Sequence, residues 1–387
     1  MSISDSRPLI TTVVPTYRRP RLLRRAVASI LAQTYPHFRV CVYDNASGDE
    51  TAGVVEEFRR EDSRVVYFPR PKNIGMSMNF MDGAARVETP FFSFLADDDL
   101  MLPHFLETAL AGFQRYPEAA LSILPTLCMS PGGLIILATN LQWREGLLLP
   151  PCGMLSTVQL GNPGLQAMLI RKAVWDEFGG FDEATYPGEE YDFDLRVMAR
   201  LPVVVSKKPG AIQAVHGGAF TAAGGLNCVW PSMPRIINKL AQNTDLQPAS
   251  RQQAIEILEN WMKRALFTRG VMKSISCGEW ENAQRAADIL VQECPQSRAA
   301  RTIRWATAVC RRLPGRSFIV RALFALRALR AGGKIMRNLG LQWRFRSYSR
   351  FLRTSTLAAS TASLASALPG TSENGGNAAD PQNISAN

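Results

Sequence analysis

Four times before residue 117 the chain passes from an apolar run into a run with helical spacing. No other feature constrains the fold as much. "LITTVVP", "FRVCVYDN", "SRVVYFP" and "PFFSFLA" have the β-branched and aromatic content of strands. In "RLLRRAVASILAQ", which follows the first, Leu22, Leu23, Ala26, Val27 and Ile30 recur at helical spacing. "DETAGVVEEFRR", "MSMNFMDGAARV" and "PHFLETALAGFQRY" read as helices after the other three, the last with Pro103 in its first turn. A helix between two strands returns the chain to the edge it started from, so consecutive strands pair in parallel. The reading is an α/β fold with a mostly parallel sheet sandwiched by helices. In such sheets ligands sit beyond the carboxyl ends of the strands.

Three polar clusters fall at those ends: Thr16-Tyr17, Asp44-Asn45 and Asp97 to Asp99 in "FFSFLADDDLMLP". One Asp suffices to cap a following helix; three in a row repel one another, and Asp is a poor strand residue. A divalent cation answers the repulsion, since Mg²⁺ bridges carboxylates to substrate phosphates. No GxGxxG follows the first strand and no GxxxxGK[ST] occurs, which argues against a dinucleotide oxidoreductase and a P-loop enzyme.

At these residues the chain resembles glycosyltransferase family 2. The resemblance rests on "TTVVPTYRRPRLLRRAVASILAQTYPHFRVCVYDNASGDET", "RPKNIGMSMNF", "FFSFLADDDLMLPHFLE" and "NPGLQAMLIRKAVWDEFGGFDEATYPGEEYDFDLRVMARL", and it ends near residue 220. It implies a GT-A (Rossmann-like) fold, a nucleotide-sugar donor with UDP favoured, Mn²⁺ or Mg²⁺, and inversion at the anomeric carbon. By match, Thr16, Tyr17 and Arg18 border the nucleobase and Asp44 accepts a hydrogen bond from its ring. Arg70, Lys72 and Asn73 lie beneath ribose and diphosphate. The aspartates match the DxD motif: Asp97 and Asp98 are expected against the donor, and Asp99, with Asp97 and His216, on the metal. Ala96 stands where many members have the motif's first Asp, so the register admits a shift of one. In "GEEYDFDLR", Glu190 replaces the usual Asp base; Glu190 or Asp192 is expected to deprotonate the acceptor hydroxyl.

Beyond residue 230 the sequence turns helical. Between residues 300 and 354 stand fourteen Lys/Arg and no Asp/Glu, so the rest of the chain, with 30 basic and 33 acidic residues, is near neutral. The expected organisation is a catalytic domain over 1–228, a basic helical region over 229–354 and a disordered low-complexity tail over 355–387. A basic block interleaved with Phe318, Phe324, Trp343, Phe345 and Phe351 suits an anionic membrane surface; without a recognition fold, nucleic acid is not expected. The seven cysteines form no CxxC pair, and there is neither a signal-peptide core nor an apolar run of membrane-spanning length. The expectation is a cytoplasmic enzyme, peripheral on the membrane, that passes sugar to a glycan or lipid-linked acceptor in surface polysaccharide synthesis. A nucleotidyltransferase, and a non-catalytic nucleotide-sugar or membrane binder, are the alternatives.

Overall fold

A computed structural model describes residues 8–130, 133–215, 232–314, 316–325 and 339–348. The four strand–helix units appear as read: β1 (Ile10–Thr16), α1 (Pro20–Leu31), β2 (Phe38–Asp44), α2 (Thr51–Glu61), β3 (Val65–Pro69), α3 (Met76–Ala85), β4 (Phe91–Phe94) and, after the two-residue β5 (Leu100–Met101), α4 (Phe105–Arg115). β3, β2, β1 and β4 lie side by side and parallel. All seven residues of β1 are buried, as they must be in a strand covered on both faces. Ile10 and Val14 point to the side packed by α1 and α2, and Val13 to the side packed by α3. Gly83 lets α3 lie close on that face; a Cβ there would come within 2.6 Å of Val13 Cγ1.

The sheet then stops being parallel. After β6 (Leu121–Ile123), β7 (Thr126–Met129), β8 (Ile135–Ala138), β9 (Gly146–Leu148), α5 (Cys152–Leu160), β10 (Met168–Arg171), α6 (Lys172–Glu177), α7 (Glu189–Arg200), β11 (Val203–Val205) and β12 (Ala211–Ala214) complete two sheets. The larger runs β3-β2-β1-β4-β10-β6-β11-β9, and the smaller β5-β12-β7-β8. β10 enters antiparallel to both β4 and β6. The larger sheet is therefore mixed: parallel in the half that was read as strand–helix units, and interrupted where β10 reverses direction.

The helical region is continuous with this core. Met233, Ile236 and Leu240 of the helix Met233–Ala241, and Ala254, Leu258 and Met262 of the helix Pro248–Ala265, share one apolar cluster with Met154 and Val158 of α5 and Phe193 and Val197 of α7. Further on, Phe345 is buried against the α1 and α4 side of the sheet. Gln342 sits on the open edge of β8: the Ile135 N–H donates to its Oε1 at 3.1 Å, and its Nε2 donates to the Ile135 carbonyl at 2.6 Å. A side-chain amide thus satisfies a backbone pair that an edge strand leaves exposed. The tail over 355–387 lies outside the described residues.

Candidate active site

The register of β1 and β2 sets Thr16 level with Asp44, and Asp44 level with Pro69 of β3, so the loops after these strands open on one edge. Val13 pairs with Phe94, which brings the chain after β4 to the same edge. There Thr16 Oγ1 donates to Asp97 Oδ2 at 2.8 Å. Arg19 Nη1 spans Asp97 Oδ1 at 3.2 Å and Asp98 Oδ2 at 2.9 Å. Burial pushes the Asp97 carboxyl up to about 6, against the pull of Thr16 and Arg19. Asp99 is fully enclosed, accepts from the Ala214 N–H at 3.0 Å, and is raised well above the carboxylate range by burial and then by Asp98. It joins the β4 end to β12, whereas Asp98 is the most open of the three.

These residues form one wall of a cavity of about 1230 Å³. The same cavity is lined by Tyr17, Asn45 and Asn73, by the end of α5, and by Glu189 and Glu190. Asn45 ties its own loop to the one after β3: its Nδ2 donates to Asn73 Oδ1 at 2.9 Å and to the Gly75 carbonyl at 3.1 Å, and its Oδ1 accepts from the Ile74 N–H at 2.9 Å.

Glu189 and Glu190 begin α7, where the helix dipole favours carboxylates. Gly188 precedes them, and a Cβ there would meet Ser232 Oγ at 2.7 Å and Ile236 Cδ1 at 3.0 Å. The helical region therefore presses directly on the backbone that presents Glu190. Beneath it, Phe94, Trp175, Phe181 and Phe193 form an aromatic cluster, with Trp175–Phe181 at 4.9 Å and Trp175–Phe193 at 5.0 Å between centroids. This joins the end of β4 to α7 through rigid contacts. Burial, and then the neighbouring Glu189, push the Glu190 carboxyl up to about 7. A carboxylate so placed exchanges its proton near neutral pH, as a general base must.

Of the residues singled out in the sequence, Thr16, Tyr17, Asn73, Asp97, Asp98, Asp99 and Glu190 meet on this cavity. Arg18, Asp44, Arg70, Lys72 and Asp192 are not on its wall. Asp44 is buried behind it, accepting from the Ser47 N–H at 2.9 Å and from the Tyr67 hydroxyl at 2.6 Å. Arg18 turns to Ser47, its N–H donating to Oγ at 2.9 Å. Arg70 pairs with Asp82 and donates to Asn79 Oδ1 at 2.7 Å, which fixes α3. Asp192 faces away, held by Arg196 at 2.7 Å and Lys239 at 2.8 Å, and so bolts the helix Met233–Ala241 to α7. His216 lies outside the described residues. Sequence reasoning missed Arg19, one position from Arg18; of the Asp44-Asn45 cluster it placed at the strand ends, Asn45 is the member on the wall.

The wall concentrates hard oxygen donors of the kind that suit Mg²⁺ or Mn²⁺, around a cationic group already drawn to them. Among the described residues, no three His, Cys, Asp or Glu side chains are grouped so as to hold a metal by themselves.

Residues 11–147 match the family model described as glycosyl transferase family 2. These residues are a family 2 glycosyltransferase domain. The domain is 33% identical over 104 residues to a GalNAc(5)-diNAcBac-PP-undecaprenol beta-1,3-glucosyltransferase of Campylobacter jejuni, a match covering 27% of this chain and 34% of that protein. It is 35% identical over 112 residues to the succinoglycan biosynthesis protein ExoW of Rhizobium meliloti, covering 28% of this chain and 34% of that protein. The chain thus spans about a third of the length of these two curated relatives. In fold, the family 2 domain and its helical region together resemble Staphylococcus aureus TarS (residues 1–349), crystallised with UDP-GlcNAc. The TM-score is 0.57 at 17% identity, covering 92% of this chain and 90% of that one. The likeness to TarS establishes the GT-A-type fold.

Proposed function

We propose that the protein is an inverting, metal-dependent glycosyltransferase that moves a sugar from a nucleotide-diphosphate donor, UDP-sugar favoured, to a glycan or lipid-linked acceptor in surface polysaccharide synthesis. One observation carries this reading: Glu190, its carboxyl near 7, shares a cavity with the Asp97–Asp99 wall at the strand ends. A base for an acceptor and a polar cradle for a donor diphosphate are the two halves of such a reaction. The printed names of the two curated relatives, a glucosyltransferase for an undecaprenol-linked glycan and a succinoglycan biosynthesis protein, support the substrate class.

In this mechanism the Glu190 carboxylate takes the proton of an acceptor hydroxyl as the oxygen attacks the anomeric carbon. The bond from that carbon to the diphosphate breaks on the opposite face, and the configuration inverts. Thr16 and Arg19 hold Asp97 and Asp98 in place at the donor end. Asp98, the most open of the three aspartates, would hold a divalent cation together with oxygens of the donor diphosphate, and the cation when bound would offset the charge on that leaving group. The place of action proposed is the cytoplasmic face of the membrane, met peripherally; no helix among the described residues is long and apolar enough to cross one.

Titration calorimetry of UDP, GDP, dTDP and CMP, each with and without Mn²⁺, tests the donor. Mn²⁺-dependent UDP binding that Asp98→Ala weakens is the expected outcome. Absence of binding by every nucleotide would overturn the proposal.

A further inference from the structure

The cavity has a wall of the opposite charge. Past the helix Pro248–Ala265 the backbone widens into a π-helix over Leu266–Met272, a rare conformation that tends to occur at functional sites. Trp261, Arg269 and Lys273, from the end of that helix, the π-helix and the short helix Lys273–Ser276 that follows, line the cavity that holds Glu190. The Arg269 guanidinium lies over the Trp261 ring, 5.7 Å from its centroid. Neither Arg269 nor Lys273 pairs with a carboxylate among the described residues, whereas Lys263, on the preceding helix, pairs with Glu259. Lys273 is half-buried, so its ammonium has given up part of its hydration without gaining a counter-charge.

This wall belongs to the base's side of the cavity. The helix Pro248–Ala265 packs on α5, and α5 packs on α7, which carries Glu190. The Asp97–Asp99 wall stands at the ends of the parallel strands, where the donor diphosphate is proposed to bind. An anion at Arg269 and Lys273 is therefore a second anion, on the side from which the acceptor hydroxyl must reach Glu190.

We infer that Trp261, Arg269 and Lys273 form an acceptor subsite for a phosphate-bearing acceptor, with the phosphate on the two cations and a sugar ring against the indole. The inference rests on the glycosyl-transfer reading and adds the charge class of the acceptor. A phosphate carried on a lipid and one carried on a polyol present the same chemistry here.

The test uses the full chain with saturating UDP and Mn²⁺, so that the donor site is filled, and titrates inorganic phosphate by calorimetry. Wild type is expected to bind phosphate, and R269Q/K273Q to bind it about tenfold more weakly or worse, a loss of about 1.4 kcal/mol or more. UDP affinity should stay unchanged, and R269K/K273R should retain phosphate binding. Farnesyl phosphate and glycerol 3-phosphate, run as competitors, tell a lipid carrier from a polyol one. Wild type that binds UDP but not phosphate, or phosphate binding unaffected by R269Q/K273Q, overturns the subsite and leaves the donor reading standing. Wild type that fails to bind UDP overturns that reading and the subsite with it.

Discussion

At the scale of single residues, two carboxylates two positions apart on α7 do different work because a helix turns them to different partners. Glu190 lines the cavity; Asp192 is buried between Arg196 and Lys239. Glu190→Gln should lower transfer by about 10²- to 10⁴-fold and leave UDP affinity unchanged, as measured by turnover beside calorimetry. Wild-type transfer should rise with pH through about 7, because only the ionised carboxyl accepts the proton, and the variant should lose that limb. The raised value also has a stability consequence. The folded carboxyl stays protonated up to about 7, whereas the unfolded one ionises near its ordinary value of 4.5, so stability falls as pH rises between the two. Glu190→Gln should therefore melt higher than wild type above pH 7, and the gain should vanish below about pH 4.5. Asp192→Asn should instead cost about 3 kcal/mol of stability, by removing one side of a buried pair. Activity per folded molecule should persist; its loss without a change in melting would return the base to Asp192. The sequence made both residues legible as candidates, since the resemblance to family 2 picks out the acidic stretch. It could not separate them, because Lys239, which claims Asp192, lies 47 residues away. Arg18 and Arg19 pose the same difficulty: two adjacent arginines differ only in which way the turn after β1 sends them. Arg18 sits at φ 54° and turns to Ser47, which leaves Arg19 for the aspartates.

At the scale of elements, the parts nearest the site were the most readable. β1 and β4, inside the sheet, are apolar runs buried almost throughout because both faces are covered, and the amphipathic helices show their buried stripe at helical spacing. β6 to β12 are three or four residues long, too short for a period, and the antiparallel entry of β10 depends on partners far along the chain. The contact of Gly188 with Ser232 was equally hidden, being a matter of close approach and not of composition. Gly188→Ala should push the helix Met233–Ala241 and the start of α7 apart. Transfer should fall while UDP still binds, since the β1–β3 loops are untouched; unchanged turnover would mean that the helical region does not position Glu190. The pin on β8 gives a separate test. Gln342→Ala removes the acceptor of the Ile135 N–H, so hydrogen exchange at that amide should accelerate while the amides of β1 keep their protection. Equal protection of Ile135 in both proteins would count against the pin.

At the scale of the whole molecule, charge and aromatic surface are divided unevenly. Fourteen Lys/Arg without an acidic residue stand between 300 and 354, on a body that is otherwise near neutral. Phe345, one of the aromatics expected to face a membrane, is only 4% exposed and belongs to the core. Phe318, Phe324 and Trp343 are 76%, 64% and 75% exposed, and Trp305 is 67% exposed. Large aromatics held in water beside arginines cost free energy that an interface returns, and each basic residue near an anionic leaflet adds about 1 kcal/mol. We therefore expect the full chain to sediment with liposomes containing phosphatidylserine or phosphatidylglycerol and to be released by salt. Cutting the chain near Leu313 would be a poor test, because it deletes Phe345 from the core and Gln342 from β8. Substitution of exposed side chains avoids this: Phe318→Ser, Phe324→Ser and Trp343→Ser together should weaken liposome binding and leave melting temperature and UDP affinity as they were. Phe345→Ser serves as the contrast, since it should lower the melting temperature through loss of a buried ring. If the triple variant partitions onto anionic liposomes as wild type does, the exposed aromatics are not the contact. If wild type stays in the supernatant at low salt, the protein meets its acceptor by some route other than the lipid surface.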